Sequence, residues 1–330
     1  VKFGPVPVAE AEGAILAHSV RLPEGRLRKG VTLTAGHVAQ LQAAGLSDVS
    51  VARLGPGDVH ENDAALHLAR AVVGTASGIE VSAPFTGRVN LLAQGPGVVV
   101  LHPEQITAAN AVDPMITVAS VPAYQQIAPG GMIATVKIIA YGVDQDCLAQ
   151  ACDAAKSALR LAQPIYTSAS LIISEIPNGP GAKGVEAIEN RMAGLGGTIC
   201  EVIPVAHEEE ALCRALGRAK GDIVLILTGS ATSDIGDTGP QALIKAGGEV
   251  QRFGLPVDPG NLLFFGHLKD KPIIGLPGSA RSPVLHGADW ILSRLACGIA
   301  VTDRDIAAMG VGGLLKEIPT RPQPRRVKGK

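Results

Sequence analysis

The chain has 330 residues, enough for two or three domains, and at 46% hydrophobic with only 3% aromatic it must build its core from Ala, Val, Ile and Leu. A formal net charge of -1 offers no general basic excess to nucleic acid or to an anionic membrane surface. Five cysteines without close paired spacing suggest neither a disulfide framework nor a zinc site, and no apolar run is long enough to span a membrane, so the reading is cytoplasmic with no signal peptide.

Residues 1–78 read as an N-terminal α+β segment. Arg28-Lys29-Gly30 turns into a short strand, and Thr34 can cap the helix that follows, in which Val38, Leu41 and Ala44 keep a helical spacing. Gly45 ends that helix, Val49 to Val51 resumes a strand, and Asp58 to Val73 reads as a second helix. His60, Glu61, Asp63 and His67 near its start are metal-capable residue types, but a solvated polar face is the commoner explanation for them. Residues 79–164 change character: short apolar runs at 79–81, 87–92, 97–101, 115–120 and 132–141 alternate with Gly and Pro. This predicts a β-rich domain, closed by a connecting helix over 144–161.

Residues 165–312 alternate regularly. Strands are expected at Ser170–Ile173, Thr198–Val205, Ile223–Leu227, Leu262–Gly266 and Pro272–Leu276. Helices are expected at Gly184–Leu195, Glu208–Ala219, Pro240–Ala246 and from Ser282-Pro283 onward. Repeated strand–helix units imply a three-layer α/β domain on a parallel sheet. The last segment, 313–330, is a basic, proline-containing tail, where a further domain would begin in a longer chain.

The domain is organised around Ile223 to Asp237. An Ile-Val-Leu-Ile-Leu run, a strand buried on both faces, gives way to Thr228-Gly229-Ser230-Ala231-Thr232-Ser233-Asp234-Ile235-Gly236-Asp237. Small residues, hydroxyls and carboxylates between a strand and a helix suit an anionic ligand at the strand's carboxyl end, or else make only a tight turn. Two more loops follow strand ends, Glu175 to Lys183 and Pro277-Gly278-Ser279, and all three should meet at one sheet edge. Asp234 and Asp237 could hold Mg²⁺ against a phosphate, or serve as a turn acceptor and a helix cap. Backbone N–H groups near Gly278 and Ser279, at the start of the last helix, would favour that phosphate.

These residues resemble the molybdopterin-binding domain shared by molybdenum cofactor biosynthesis proteins. That family ends a strand in Thr/Ser-Gly-Gly and places an Asp after it, and Thr228, Gly229, Thr232 and Asp237 match. Molybdopterin molybdotransferases carry Pro-Gly-Lys-Pro and Leu-Pro-Gly-Asn-Pro further on. Here those places read Pro259-Gly260-Asn261-Leu262 and Leu276-Pro277-Gly278-Ser279-Ala280, in the same order. Residues Ala11 to Ala17 and Lys29 to Leu33 look like the start of the molybdotransferases. Four departures stand out: Ser230 for the second Gly, Asn261 for Lys, Ser279-Ala280 for Asn-Pro, and Ser174-Glu175-Ile176-Pro177 where Thr-Gly-Asp-Glu is usual. Glu175 is then the only carboxylate of its loop, and Lys183 and Arg281 are candidates to supply the lost positive charge.

The resemblance implies binding of molybdopterin, or its adenylylated form, with Mg²⁺, followed by molybdate transfer to the dithiolene and hydrolysis of the adenylyl group. Asp234 and Asp237 would hold the metal and act in catalysis. Thr228, Gly229, Ser230, Thr232, Glu175, Pro259, Gly260, Pro277, Gly278 and Ser279 would line the pterin-phosphate site. A homo-oligomer is implied as well. Two further readings remain open at this stage: a non-catalytic pterin carrier or sensor feeding a fused or partner nucleotidyltransferase, and an unrelated small-molecule α/β enzyme on the same fold.

Overall fold

The computed structural model describes residues 1–258 and 260–315, and the chain forms two compact units. One comprises Val1–Gly95 with Val99–Leu161, the other Pro96–Val98 with the chain from Ala162 onward. Pro259 and most of the basic 313–330 tail, expectations of the sequence, lie outside the described residues.

In the first unit, Lys2–Pro7, Asp48–Arg53 and Ile15–Leu16 form an antiparallel sheet. Helix Ala35–Ala43 starts at Thr34, whose hydroxyl accepts the His37 N–H, and buries Leu41 against Leu16, Leu33 and Val51. A second antiparallel sheet, of Ile79–Val81, Arg88–Ala93, Met132–Ile138 and Ile116–Ser120, shares a core with helices Glu61–Val73 and Gln145–Ala154. Two expected helices are shorter than the pattern suggested. Asp58–His60 is a strand, and His60 Nδ1 then caps the helix by accepting the Asn62 N–H. The 144–161 helix stops at Ala154, Ser157 turns the chain through φ 54°, and Leu159–Ala162 is a strand in which exposed Arg160 separates buried Leu159 and Leu161. Glu61 is buried and faces Lys137 Nζ at 3.5 Å, and no group of three or more His, Cys, Asp or Glu among the described residues is placed to hold a metal ion.

The second unit is α/β. Its strands are β1 (Ser168–Glu175), β2 (Thr198–Ala206), β3 (Ile223–Leu227), β4 (Glu249–Leu255), β5 (Asn261–Leu268) and β6 (Lys271–Leu276). Its helices are α1 (Val185–Ala193), α2 (Glu209–Arg218), α3 (Thr238–Lys245), α4 (Gly287–Ala296) and α5 (Asp303–Ala308). The sheet order is β2-β1-β3-β6-β5-β4. The sequence suggested an all-parallel sheet, but the sheet is mixed: β2, β1, β3 and β6 are parallel, whereas β5 and β4 run antiparallel at one side. The reason is local, since β4, β5 and β6 follow one another through short turns that leave no room for crossover helices.

Side chains alternate across the sheet, as the two-residue strand period requires. Leu171, Ile173, Leu225, Leu227, Ile274 and Leu276 bury one face with Ile188 and Met192 of α1 and Ile291 and Leu292 of α4. Ile172, Val224, Ile226 and Ile273 bury the other with Leu212 and Leu216 of α2 and Leu243 of α3. All five residues of β3 are buried. The central strand therefore delivers its C-terminal loop from a fixed position, between the ends of β1 and β6.

Among the described residues no helix is long and apolar enough to cross a membrane.

Candidate functional site

Parallel register sets the site. Ile173 pairs with Leu227 and Leu227 with Leu276, so the loops after β1, β3 and β6 leave the sheet at one level. Gly229 and Ser174 join the first two loops. The Gly229 N–H donates to Ser174 Oγ at 3.1 Å, and a Cβ on Gly229 would stand 2.6 Å from Ser174 O and 3.1 Å from Ile176 N. Only glycine permits that approach. Thr228 and Thr232 are buried, while Ser230 and Glu175 face solvent.

Arg281 ties the loops together. Its guanidinium donates to the carbonyls of Gly181 (2.9 Å), Lys183 (2.5 Å) and Thr228 (3.1 Å), so one side chain from the third loop fastens the first and second. Desolvation holds its pKa below the ordinary arginine value. The sequence offered Arg281 as a cation for the ligand, and its Nη1 and Nη2 donate to these backbone carbonyls. Lys183, offered beside it, is exposed.

Asp237 and Asp234 shape the second loop. Asp237 caps α3: Oδ1 accepts the Thr238 N–H at 2.7 Å and Oδ2 the Ser233 N–H at 3.0 Å. The Ser233 N–H bond is the leading cause of a carboxyl pKa held below its ordinary value, and the charge of nearby His207 adds to the effect. Asp234 is exposed and accepts the Gly236 N–H at 2.7 Å in a turn of its own. Each carboxylate retains free lone pairs, and among the described residues no third acid, His or Cys completes a metal-holding group with them. Among the described residues these carboxylates do not make an all-protein metal cage.

The third loop departs from expectation. The last helix was expected from Ser282-Pro283, with Gly278 and Ser279 at its N-terminus. Instead Gly278–Arg281 is a single 3-10 turn, and α4 begins at Gly287. Two devices hold the helix back. His286 and Asp289 form a reciprocal capping box, His286 Nδ1 accepting the Ala288 N–H and Asp289 Oδ2 the His286 N–H. Arg191 of α1, ion-paired with Asp289 at 2.5 Å, captures the carbonyls of Ala280, Ser282 and Val284. Ser279 Oγ lies 2.6 Å from His286 Nε2. Since Nδ1 of that ring accepts a backbone N–H, Nε2 of the neutral ring carries the proton and donates to Ser279.

Gly260, just before β5, lies at the same sheet edge. Phe264 pairs with Gly275 in antiparallel register, so β5 begins beside the end of β6. Gly260 is exposed, and Pro259 is outside the described residues. Asn261 is 5% exposed and begins β5, so this position holds a buried amide where the related motif has a cation.

Two site residues were not singled out from the sequence as ligand contacts: Ser174, fully buried at the end of β1, and His207, just beyond the end of β2. Their side chains meet, Ser174 Oγ to His207 Nδ1, at 2.8 Å, and the His207 N–H donates to Glu175 O at 3.0 Å. The residues are 33 positions apart, and only strand register joins them. An Ala-His following an apolar strand was the one signal available.

A family described as a domain of unknown function (DUF8806) matches residues 5–53. No curated protein sequence matches the chain. Solved structures similar to it include the molybdopterin biosynthesis moea protein from Pyrococcus horikosii, 15% identical at a TM-score of 0.31 over 94% of this chain and 77% of that one. Molybdenum cofactor biosynthesis protein B is 15% identical at a TM-score of 0.30, over 40% of this chain and 88% of that one. A molybdenum cofactor biosynthesis protein from Pyrococcus furiosus is 11% identical at 0.22, over 97% and 67%. Superpositions this loose carry no functional information.

Proposed function

We propose that the α/β unit binds molybdopterin, or its adenylylated form, as part of molybdenum cofactor biosynthesis. The observation that carries this reading is the junction of the loop after β1 with the Thr228-Gly229 loop, at the sheet edge to which Pro277-Gly278-Ser279 also leads. The motif residues that resemble the pterin-binding family thus belong to strand-end loops joined to one another. Backbone donors of Ser230, Gly278 and Ser279 would meet the phosphate, with Gly229, Thr228, Thr232, Glu175, Gly260 and Pro277 around it. Asp234 and Asp237 would hold Mg²⁺ together with ligand phosphate and water, and the ion when bound would neutralise charge as a phosphate bond breaks. The chain's own part is to fix the phosphate on preorganised donors.

A second reading is favoured by particular residues. Asn261 is buried and Arg281 is engaged by carbonyls, so the edge is poor in cations directed at a transferred oxyanion. That suits a pterin carrier or sensor that hands its ligand to a nucleotidyltransferase better than a molybdate-inserting enzyme.

One experiment tests both. The purified chain is titrated with adenylylated molybdopterin, with Mg²⁺ and with EDTA, and molybdate is then added. Saturable binding that weakens in EDTA is expected. Release of AMP on adding molybdate identifies the transferase, and binding without release the carrier. An absence of binding in all conditions rejects both readings.

A further inference from the structure

His207 sits on no motif, yet it is held more tightly than its half-exposed position requires. Its backbone N–H donates to Glu175 O at 3.0 Å, fixing the end of β2 to the end of β1. Its ring meets Ser174 Oγ through Nδ1 at 2.8 Å. Ser174 is 0% exposed, and its oxygen already accepts the Gly229 N–H at 3.1 Å.

These bonds determine where the imidazole proton sits. A serine hydroxyl has one proton to give, and in a fully buried position that proton needs an acceptor. His207 Nδ1 is the only acceptor for it among the described residues. If Nδ1 carried a proton and donated to Ser174, the hydroxyl proton would be buried without a partner. With Nδ1 accepting, every polar atom of the Gly229–Ser174–His207 chain is satisfied. The neutral ring is then the tautomer protonated at Nε2.

Nε2 lies on the ring edge away from Ser174, and it makes no hydrogen bond among the described residues. Ser174 Oγ meets both this ring and the Gly229 N–H, so the ring stands one residue from the junction of the first and second loops. A donor held at the junction of these loops and left without a protein acceptor is arranged for an acceptor that arrives from outside.

We propose that His207 is a ligand-binding residue whose Nε2–H donates to an anionic oxygen of the bound molecule, a phosphate oxygen in the first instance, with Ser174 positioning the ring. This rests on the phosphate-ligand reading given above and adds to it a contact absent from the motifs. The buried Ser174 hydroxyl makes the donor directional, because reversing the ring's tautomer would strand its proton.

The test has a ligand-free arm and a binding arm, both on the full chain. In the first, the imidazole nitrogens of His207 are observed by long-range ¹H–¹⁵N correlation in alkaline buffer, assigned by comparison with His207→Asn. The Nε2–H pattern is expected in the wild type, with loss of the single-tautomer pattern in Ser174→Ala. An Nδ1–H pattern in the wild type overturns the proposal. In the second, molybdopterin and phosphatase-treated molybdopterin are the paired probes. Wild-type protein should prefer the phosphorylated form. His207→Asn, whose amide reaches only the Nδ1 position, should lose about 10- to 100-fold of that preference, the range of a hydrogen bond to a charged group. His207→Gln, whose amide nitrogen reaches the Nε2 position, should restore most of it. Equal preference in wild type and His207→Asn overturns the role of His207 while leaving the binding site standing. Failure of the wild type to bind either probe rejects the site itself, and the inference with it.

Discussion

Asp237 shows how one side chain can be structural and still be available to a ligand. As the cap of α3 it satisfies two backbone donors, Ser233 and Thr238. Replacing it with Ala should cost about 1 kcal/mol of stability, the usual cost of losing an N-terminal cap, read from urea midpoints. The pH dependence has a fixed sign. The folded carboxyl titrates below its ordinary value of 3.8 because the charged form accepts these bonds. The stabilisation is therefore complete above the unfolded value and is lost as pH falls through the folded one. The stability gap between wild type and Asp237→Asn should narrow below about pH 4 and stay constant above it; a gap that widens in acid would contradict the assignment. Gly229 carries a steric counterpart. Its Cβ in Gly229→Ala would press on backbone, Ser174 O at 2.6 Å, where no side chain can swing aside. About 1–3 kcal/mol should be lost, the cost of overpacking, with the first two loops forced apart in a structure of the variant.

At the level of elements, the loops are ordered by two arginines directed at carbonyl oxygens. Arg191 and Asp289 are 8% and 13% exposed, and Arg191 holds the third loop out of the helix it would otherwise join. Arg191→Met leaves Asp289 without its cation and frees the carbonyls of Ser282 and Val284. A loss of about 3–5 kcal/mol is expected by denaturant unfolding, the range for one partner removed from a buried pair. Arg191→Met/Asp289→Asn should recover part of it, and no recovery would mean that the carbonyl bonds dominate. None of this wiring was legible in the sequence, because Arg191 and the loop it restrains are about ninety positions apart. What was legible is equally physical. Five consecutive apolar residues made β3 unmistakable, and the Thr228–Asp237 composition marked the loop after it. β4 escaped notice because register shifts near Arg252 and Leu255 break its alternation. Asn261 read as a loop residue but is the first, buried residue of a strand. The candidate loops could be read from composition and order. The Ser174–His207 contact could not, since register alone creates it.

For the whole molecule, the division into two units makes the binding reading testable without a catalytic assay. Each unit has its own apolar clusters, so each has its own contribution to stability. A ligand that binds only the native α/β unit stabilises that unit by RT ln(1 + [L]/Kd), about 2.7 kcal/mol at a hundredfold excess over Kd. Hydrogen exchange under native conditions resolves where that free energy appears. With saturating molybdopterin and Mg²⁺, amides of β1, β3 and β6 that exchange by opening of the α/β unit should slow by about the hundredfold that 2.7 kcal/mol implies. Gly229 and the N-terminal turn of α3 should gain most, because their protection now depends on local opening of a loop that the ligand closes. Amides in the Val89–Val136 core of the first unit should be unchanged. Equal slowing in both units would mean that the ligand contacts both or that they open together. Slowing confined to the first unit would move the binding site away from the β1–β3–β6 edge altogether.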